Sequence, residues 1–159
     1  MNKRKIRRIV RSIAPELRVT FKKGNGNWYD EDEHKVNFDF EDVSPDTDGG
    51  FLYHLEHSHE CGEVLTVPFS VWTLLHEIGH YFTLDFVRRT EQTEFIKIVC
   101  SIYSREEAQA NPELAKMYFD LPEEWHATEW AIDFVQSHCL LARLLEKYLA
   151  PDLGDPRLE

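Results

Sequence analysis

The chain has 159 residues, 42% of them hydrophobic and four of them Trp, enough to bury well over half of its unfolded surface in one domain spanning residues 1–159. Its net charge of −11 argues against broad contact with a nucleic-acid backbone, and no apolar run approaches the roughly eighteen residues of a membrane-spanning helix. Cys61, Cys100 and Cys139 are odd in number, widely spaced and without a Cys-x-x-Cys pair, so a reducing cytoplasm is expected and a disulfide framework is not.

The charge is unevenly distributed. Residues 1–23 carry nine Lys or Arg against one Glu, whereas the remainder carries nine against twenty-eight Asp or Glu. Met1 to Arg11 has charges where a signal peptide would be apolar, so none is expected. Ile6, Val10, Ile13 and Leu17 instead form a stripe at helical spacing, which predicts a basic helix docked on its own acidic domain rather than a nucleic-acid arm. Arg18 to Lys23 and Lys35 to Phe40 alternate polar and apolar residues around Gly24-Asn25-Gly26-Asn27, predicting a β-hairpin or short meander. Residues 41–50 are acidic and rich in Asp, Pro and Gly, as expected of a loop.

Phe51 to Leu55 and Glu63 to Val67 are candidates for further short strands. Between them, His54, His57, His59 and Cys61 make a segment dense in potential ligands, read first as a solvated loop and second as an accessory metal site. From Ser70, a plausible N-cap, the pattern is almost wholly helical. Val71, Trp72, Leu74, Leu75, Ile78 and Phe82 recur at helical spacing, on a helix expected to end between Leu84 and Arg89. Thr93 to Tyr103 is apolar enough for a buried helix, although Phe95 to Val99 would also suit a strand. Ser104 with Glu107 forms a capping box, and Asn111-Pro112 is an N-cap with proline at the first helical position. Asp120-Leu121-Pro122 repeats that signal before a final helix reaching about Tyr148. Packing is sufficient reason for Cys100 and Cys139.

The buried helix from Ser70 carries His76-Glu77-Ile78-Gly79-His80. Residues four apart share a helix face, so His76 and His80 can aim two imidazoles at one metal ion, with Glu77 in reach of a water at an open coordination position. A third ligand must come from elsewhere, and Glu123, Glu124, His126, Glu129 and Asp133 of the last helix are the candidates. On a helical wheel Ala127, Thr128, Ala131, Val135 and His138 lie within about sixty degrees of Glu124, whereas Glu129 and Asp133 fall on the polar side. Small residues beside Glu124, with Gly79 opposite, would let the two helices approach closely. Glu124 is therefore favoured, with Glu129 and His126 as alternatives. Glu123 and Glu124 also have an ordinary reading as acidic residues in a first helical turn, and the two histidines as hydrogen-bonded core residues.

His76-Glu77-Ile78-Gly79-His80 followed by Glu124-Trp125-His126-Ala127-Thr128-Glu129-Trp130-Ala131 resembles the ImmA/IrrE family of gluzincin-type zinc metallopeptidases, common in phages and mobile elements. The likeness covers roughly residues 70–136. The family's second motif, Glu-x-x-Ala-(Asn or Asp)-x-Phe-Ala, places its glutamate ligand on Glu124, in agreement with the wheel. Thr128 stands in place of Asn or Asp, which weakens the expected support for a ligand, and Trp130 replaces Phe. The family's Leu-Leu-Met-Pro sequence and the helix-turn-helix domain of many members are not found, so cleavage of a repressor is an implication of kinship alone.

The elements and the resemblance together imply an α+β, zincin-like fold: an N-terminal helix and small sheet, then a mostly helical half carrying both motifs. They imply Zn²⁺ held by His76, His80 and Glu124, with Glu77 as general base for hydrolysis of a protein or peptide in a bacterial or phage-infected cytoplasm. His54, His57 and His59 are individually weak candidates for the donor that stabilises the oxyanion. Two rivals remain. One is a non-catalytic phage or mobile-element protein in which zinc holds the helices together and the surface binds a partner protein. The other is a nucleic-acid-associated protein working through residues 1–11.

Overall fold

The structure, a computed structural model, describes residues 1–43, 67–84 and 91–150. The architecture is α+β, with a small three-stranded sheet and a mostly helical remainder. Helix α1 (Lys3–Ile13) starts at Asn2, whose side chain accepts from the Lys5 amide. Its buried residues are Ile6, Ile9 and Val10, and burial of such side chains stabilises by about 1.5–3 kcal/mol each. The helix rests on α7 (Cys139–Leu149) and on strand β1 (Arg18–Thr20), and the Asn2 amide donates to the Tyr148 carbonyl at 2.7 Å. The apolar stripe of the sequence is thus the docking face.

The sheet differs from a simple meander. Strands β2 (Trp28–Asp30) and β3 (Lys35–Asn37) form the antiparallel hairpin, and β1 pairs in parallel with the other edge of β3, giving the order β1-β3-β2. Asp30 closes the hairpin turn by accepting from the Glu33 amide, and His34 takes a positive φ of 45°. Trp28–Asp30 escapes a pattern reading because three residues beside the acidic run Asp30 to Glu33 are too short to show alternation. Gly24 and Gly26, at φ of 76° and 69°, therefore belong to the connection that carries the chain from β1 to the outer edge.

Among the described residues, five α-helices lie between α1 and α7. They are α2 (Phe69–Thr83), α3 (Glu91–Ile102), α4 (Arg105–Ala110), α5 (Pro112–Phe119) and α6 (Pro122–Ser137). The most extensive packing is between α2 and α6. Trp72, Leu74, Leu75, Ile78, Ala131, Val135 and Leu145 belong to one core with Ile6, Val10, Val36 and Phe38, so the basic helix, the sheet and the helical half are packed together. Phe82, Trp130 and Phe134 stack in sequence, with centroids 4.8 and 5.2 Å apart.

Helix boundaries correct several expectations. Helix α2 begins at Phe69, with Pro68 in the cap position and no side-chain cap, so Ser70 is inside the helix. Asn111 does cap α5, accepting from the Leu114 amide, and Ser104 with Glu107 forms the reciprocal box. Leu121, not Asp120, precedes α6, and the Asp120 side chain pairs instead with Lys116. The final helix is two: His138, at φ −129° and ψ 48°, separates α6 from α7, with no Gly or Pro to announce the break.

The apolar segment Thr93 to Tyr103 is helical but not buried as a whole. Ile96 is covered, while Phe95, Ile98 and Ile102 are exposed. Cys139 is exposed rather than packed. No helix among the described residues is long and apolar enough to cross a membrane. The acidic loop at 41–50 beyond Val43, the strand candidates within 51–67 up to Thr66, and His54, His57, His59 and Cys61 lie outside the described residues.

Candidate metal centre

Helices α2 and α6 pack closely at Gly79, and the cause is legible atom by atom. A Cβ on Gly79 would lie 2.4 Å from the Ala127 carbonyl oxygen and 3.0 Å from its carbonyl carbon and Cα. Only a residue without a side chain fits against that backbone, and Ala127 and Ala131 opposite are fully buried. This approach brings the carboxylate of Glu124, in the first turn of α6, against the histidine face of α2.

His76 and His80 project side by side, their rings 4.7 Å apart and nearly perpendicular. The two Glu124 oxygens divide between them, Oε2 lying 3.0 Å from His76 Nε2 and Oε1 lying 3.5 Å from His80 Nε2. One ligand atom from each of the three residues lies within 4.8 Å of the others. Metal–ligand bonds of about 2.0–2.2 Å at tetrahedral angles separate ligand atoms by roughly 3.3–3.5 Å. The two Glu124 contacts lie near that range, the group as a whole is somewhat wider, and the donor set is one that could hold a divalent cation. Side-chain exposure of 17%, 18% and 9% leaves the centre open to solvent on one side.

Thr128, which stands where the resemblance leads one to expect Asn or Asp, faces His76. Its hydroxyl, in a residue only 1% exposed, lies 3.1 Å from His76 Nδ1. With Nδ1 engaged there, the ring is held in plane and Nε2 is the nitrogen that faces Glu124. Thr128 lies one turn along the helix from Glu124.

Tyr118 was not a candidate in the sequence. It lies on α5, where an aromatic residue in an amphipathic helix reads as core. Its phenol hydrogen-bonds Glu124, and its ionisation is pushed well above the ordinary 10.0. The causes are the Glu124 charge, then burial, then the charge of Glu77, with the hydrogen bond and Glu123 adding to them. A third helix, α5, thus borders the site, and the half-buried Glu77 adds its charge to the field at the Tyr118 phenol.

The structure does not bring the rival ligands to this point. His126 and Glu129 are exposed and pair with each other at 3.3 Å on the far face of α6, and Asp133 is exposed too. His138, near Glu124 on an ideal wheel, is exposed because α6 has ended by then. Glu123 is unexpectedly buried beside Glu124. No family model matches the chain, and no curated protein or solved structure proves similar to it. The likeness to the ImmA/IrrE motifs rests on the residues that carry it.

Proposed function

We propose that the protein is a zincin-like, zinc-dependent metallopeptidase of the ImmA/IrrE type, hydrolysing peptide bonds of a protein or peptide in a bacterial or phage-infected cytoplasm. The observation that carries this reading is the convergence of ligand atoms from His76, His80 and Glu124 to within 4.8 Å of one another, with Glu77 in the same helix turn. His76, His80 and Glu124 hold the ion. A bound Zn²⁺ supplies Lewis acidity, lowering the pKa of water and polarising the scissile carbonyl.

Glu77 takes a proton from the attacking water and returns it to the leaving amine. Thr128 keeps the His76 ring in the plane its ligand role demands. Tyr118, whose phenol reaches Glu124 and feels Glu77, is the donor this site offers to the developing oxyanion.

The test begins with metal content per chain, by elemental mass spectrometry on protein purified without added metal. Near one zinc in the parent and little in Glu124→Ala is expected; a parent that takes up no zinc when offered it defeats the proposal. Glu77→Gln should keep the metal and lose hydrolysis of a fluorogenic peptide mixture by a factor of about 10²–10⁴. The non-catalytic alternative, with zinc as a staple between α2 and α6, gains some support from the tightness of that contact. It predicts zinc in both proteins and hydrolysis in neither.

A further inference from the structure

We propose that the outer face of α1 is a short binding site for the phosphodiester backbone of a nucleic acid, with Arg4, Arg7, Arg8 and Arg11 as its phosphate ligands. This inference stands apart from the metal centre and does not depend on it. The four side chains line one groove of about 300 Å³, and all four residues are exposed. Arg7 is already oriented, its Nε donating to the Val19 carbonyl at 3.2 Å and its guanidinium lying 5.0 Å from the Phe21 ring centre. Among the described residues no carboxylate lines the groove, and Arg4, Arg8 and Arg11 enter no ion pair. Four cations around one groove repel one another, so an anion placed there relieves an existing cost.

The chemistry selects the partner. Guanidinium forks match phosphate oxygens two at a time, which an ammonium cannot do. From Arg4 to Arg11 the helix rises about 10.5 Å, the axial length of roughly three phosphates of one strand. The helix is held in place, with Ile6, Ile9 and Val10 in the core and Asn2 tied to Tyr148, so little ordering is needed on binding. The same burial counts against a membrane partner, because an interfacial helix needs its apolar face free to enter the bilayer. The acidic remainder of the chain limits the contact to a short stretch, since its repulsion is screened only beyond about 8 Å at physiological salt.

The experiment is fluorescence anisotropy of the full chain with a labelled DNA of about 20 nucleotides, single-stranded and as a duplex, between about 50 and 200 mM salt. Dissociation constants of about 10⁻⁴–10⁻⁶ M are expected. The slopes of log K against log salt should be roughly −2.7 to −3.6 for the duplex and −2.1 to −2.8 for the single strand, the values for three to four phosphate contacts. The tighter arm identifies the form recognised. The triple variant Arg4→Gln/Arg8→Gln/Arg11→Gln should bind at least about tenfold more weakly with a flattened slope, while Lys22→Gln/Lys23→Gln stays near the parent. Circular-dichroism melting checks that the variants fold, and Arg8→Glu alone serves if the triple does not. Absence of salt-dependent binding to either DNA, equal binding by parent and triple variant, or binding to phosphatidylserine vesicles in place of DNA would each overturn the proposal.

Discussion

Among the described residues, a polar cluster in the sheet and the histidine–glutamate cluster between α2 and α6 are built on opposite principles. In the sheet, Asn37 is fully buried and Asp39 nearly so. The Asn37 side chain accepts from the Thr20 hydroxyl and the Lys22 amide and donates to the carbonyls of Lys22 and Gly26. Asp39 accepts from the amides of Gly26 and Glu41. Between α2 and α6, by contrast, two imidazoles and a carboxylate turn their ligand atoms toward one another at the edge of solvent. The first cluster spends its hydrogen-bonding capacity on its own backbone and so fixes a connection. The second points its capacity at a common centre, an arrangement that serves a ligand better than it serves the fold.

The sharpest separation of the two comes from Asn37→Ala. It takes the partner from the Lys22 amide and from the carbonyls of Lys22 and Gly26, leaves the Thr20 hydroxyl only the Val36 carbonyl, and is expected to cost about 3–5 kcal/mol of unfolding free energy. Zinc per folded chain should not change, as measured by urea denaturation alongside elemental analysis. A variant that lost metal in proportion to stability would show that the clusters are not independent.

Gly79→Ala attacks the second cluster through its scaffold. Alanine is the better helix former by about 1 kcal/mol, yet its methyl would meet the Ala127 backbone at 2.4 Å. Backbone cannot swing aside as a flexible side chain does, so α6 must move, and a net loss of about 1–2 kcal/mol is expected. Because Glu124 rides on α6, zinc affinity should fall with it. An unchanged melting temperature and unchanged zinc titration would mean the helices are not in the contact described.

Thr128→Val removes one hydroxyl and keeps the shape. With His76 Nδ1 left without that partner, zinc affinity should fall about 10–100-fold, read by competition with a chelating dye. The metal-free protein should lose only about 1 kcal/mol.

How much of this was legible in the sequence depended on the range of the interaction. His76, His80 and the docking stripe of α1 follow from spacing along a single helix, a local property, and Asn111 and Ser104 cap their helices for equally local reasons. Glu124 needed two helices, and was accessible because Gly79 and Ala127 advertise a close approach from both sides. The parallel pairing of β1 with β3, the break at His138 and the exposure of Phe95 and Ile98 depend on which elements meet in space, and no short pattern encodes that. Tyr118 is the instructive case, since nothing in Lys116-Met117-Tyr118-Phe119 separates an aromatic that packs from one that reaches a carboxylate.

Tyr118→Phe gives the smallest effect and the most specific one, if it is read against pH in chelator-treated protein. The folded protein holds the Tyr118 phenol protonated to well above its ordinary 10.0, chiefly because its anion would face Glu124. Above about pH 10 the unfolded chain therefore releases this proton before the folded one does, so the folded state binds more protons and stability falls as pH rises. Below that range both states keep the proton and the contribution is constant. The parent should thus lose stability more steeply than Tyr118→Phe on the alkaline side, the difference between the two melting curves shrinking from about pH 9 upward. Zinc would neutralise much of the Glu124 charge that is the leading cause, so adding it should soften the parent's alkaline fall and leave the variant's nearly unchanged. Parallel alkaline limbs in parent and variant would place the phenol away from Glu124, and with it would go the donor assigned to the oxyanion.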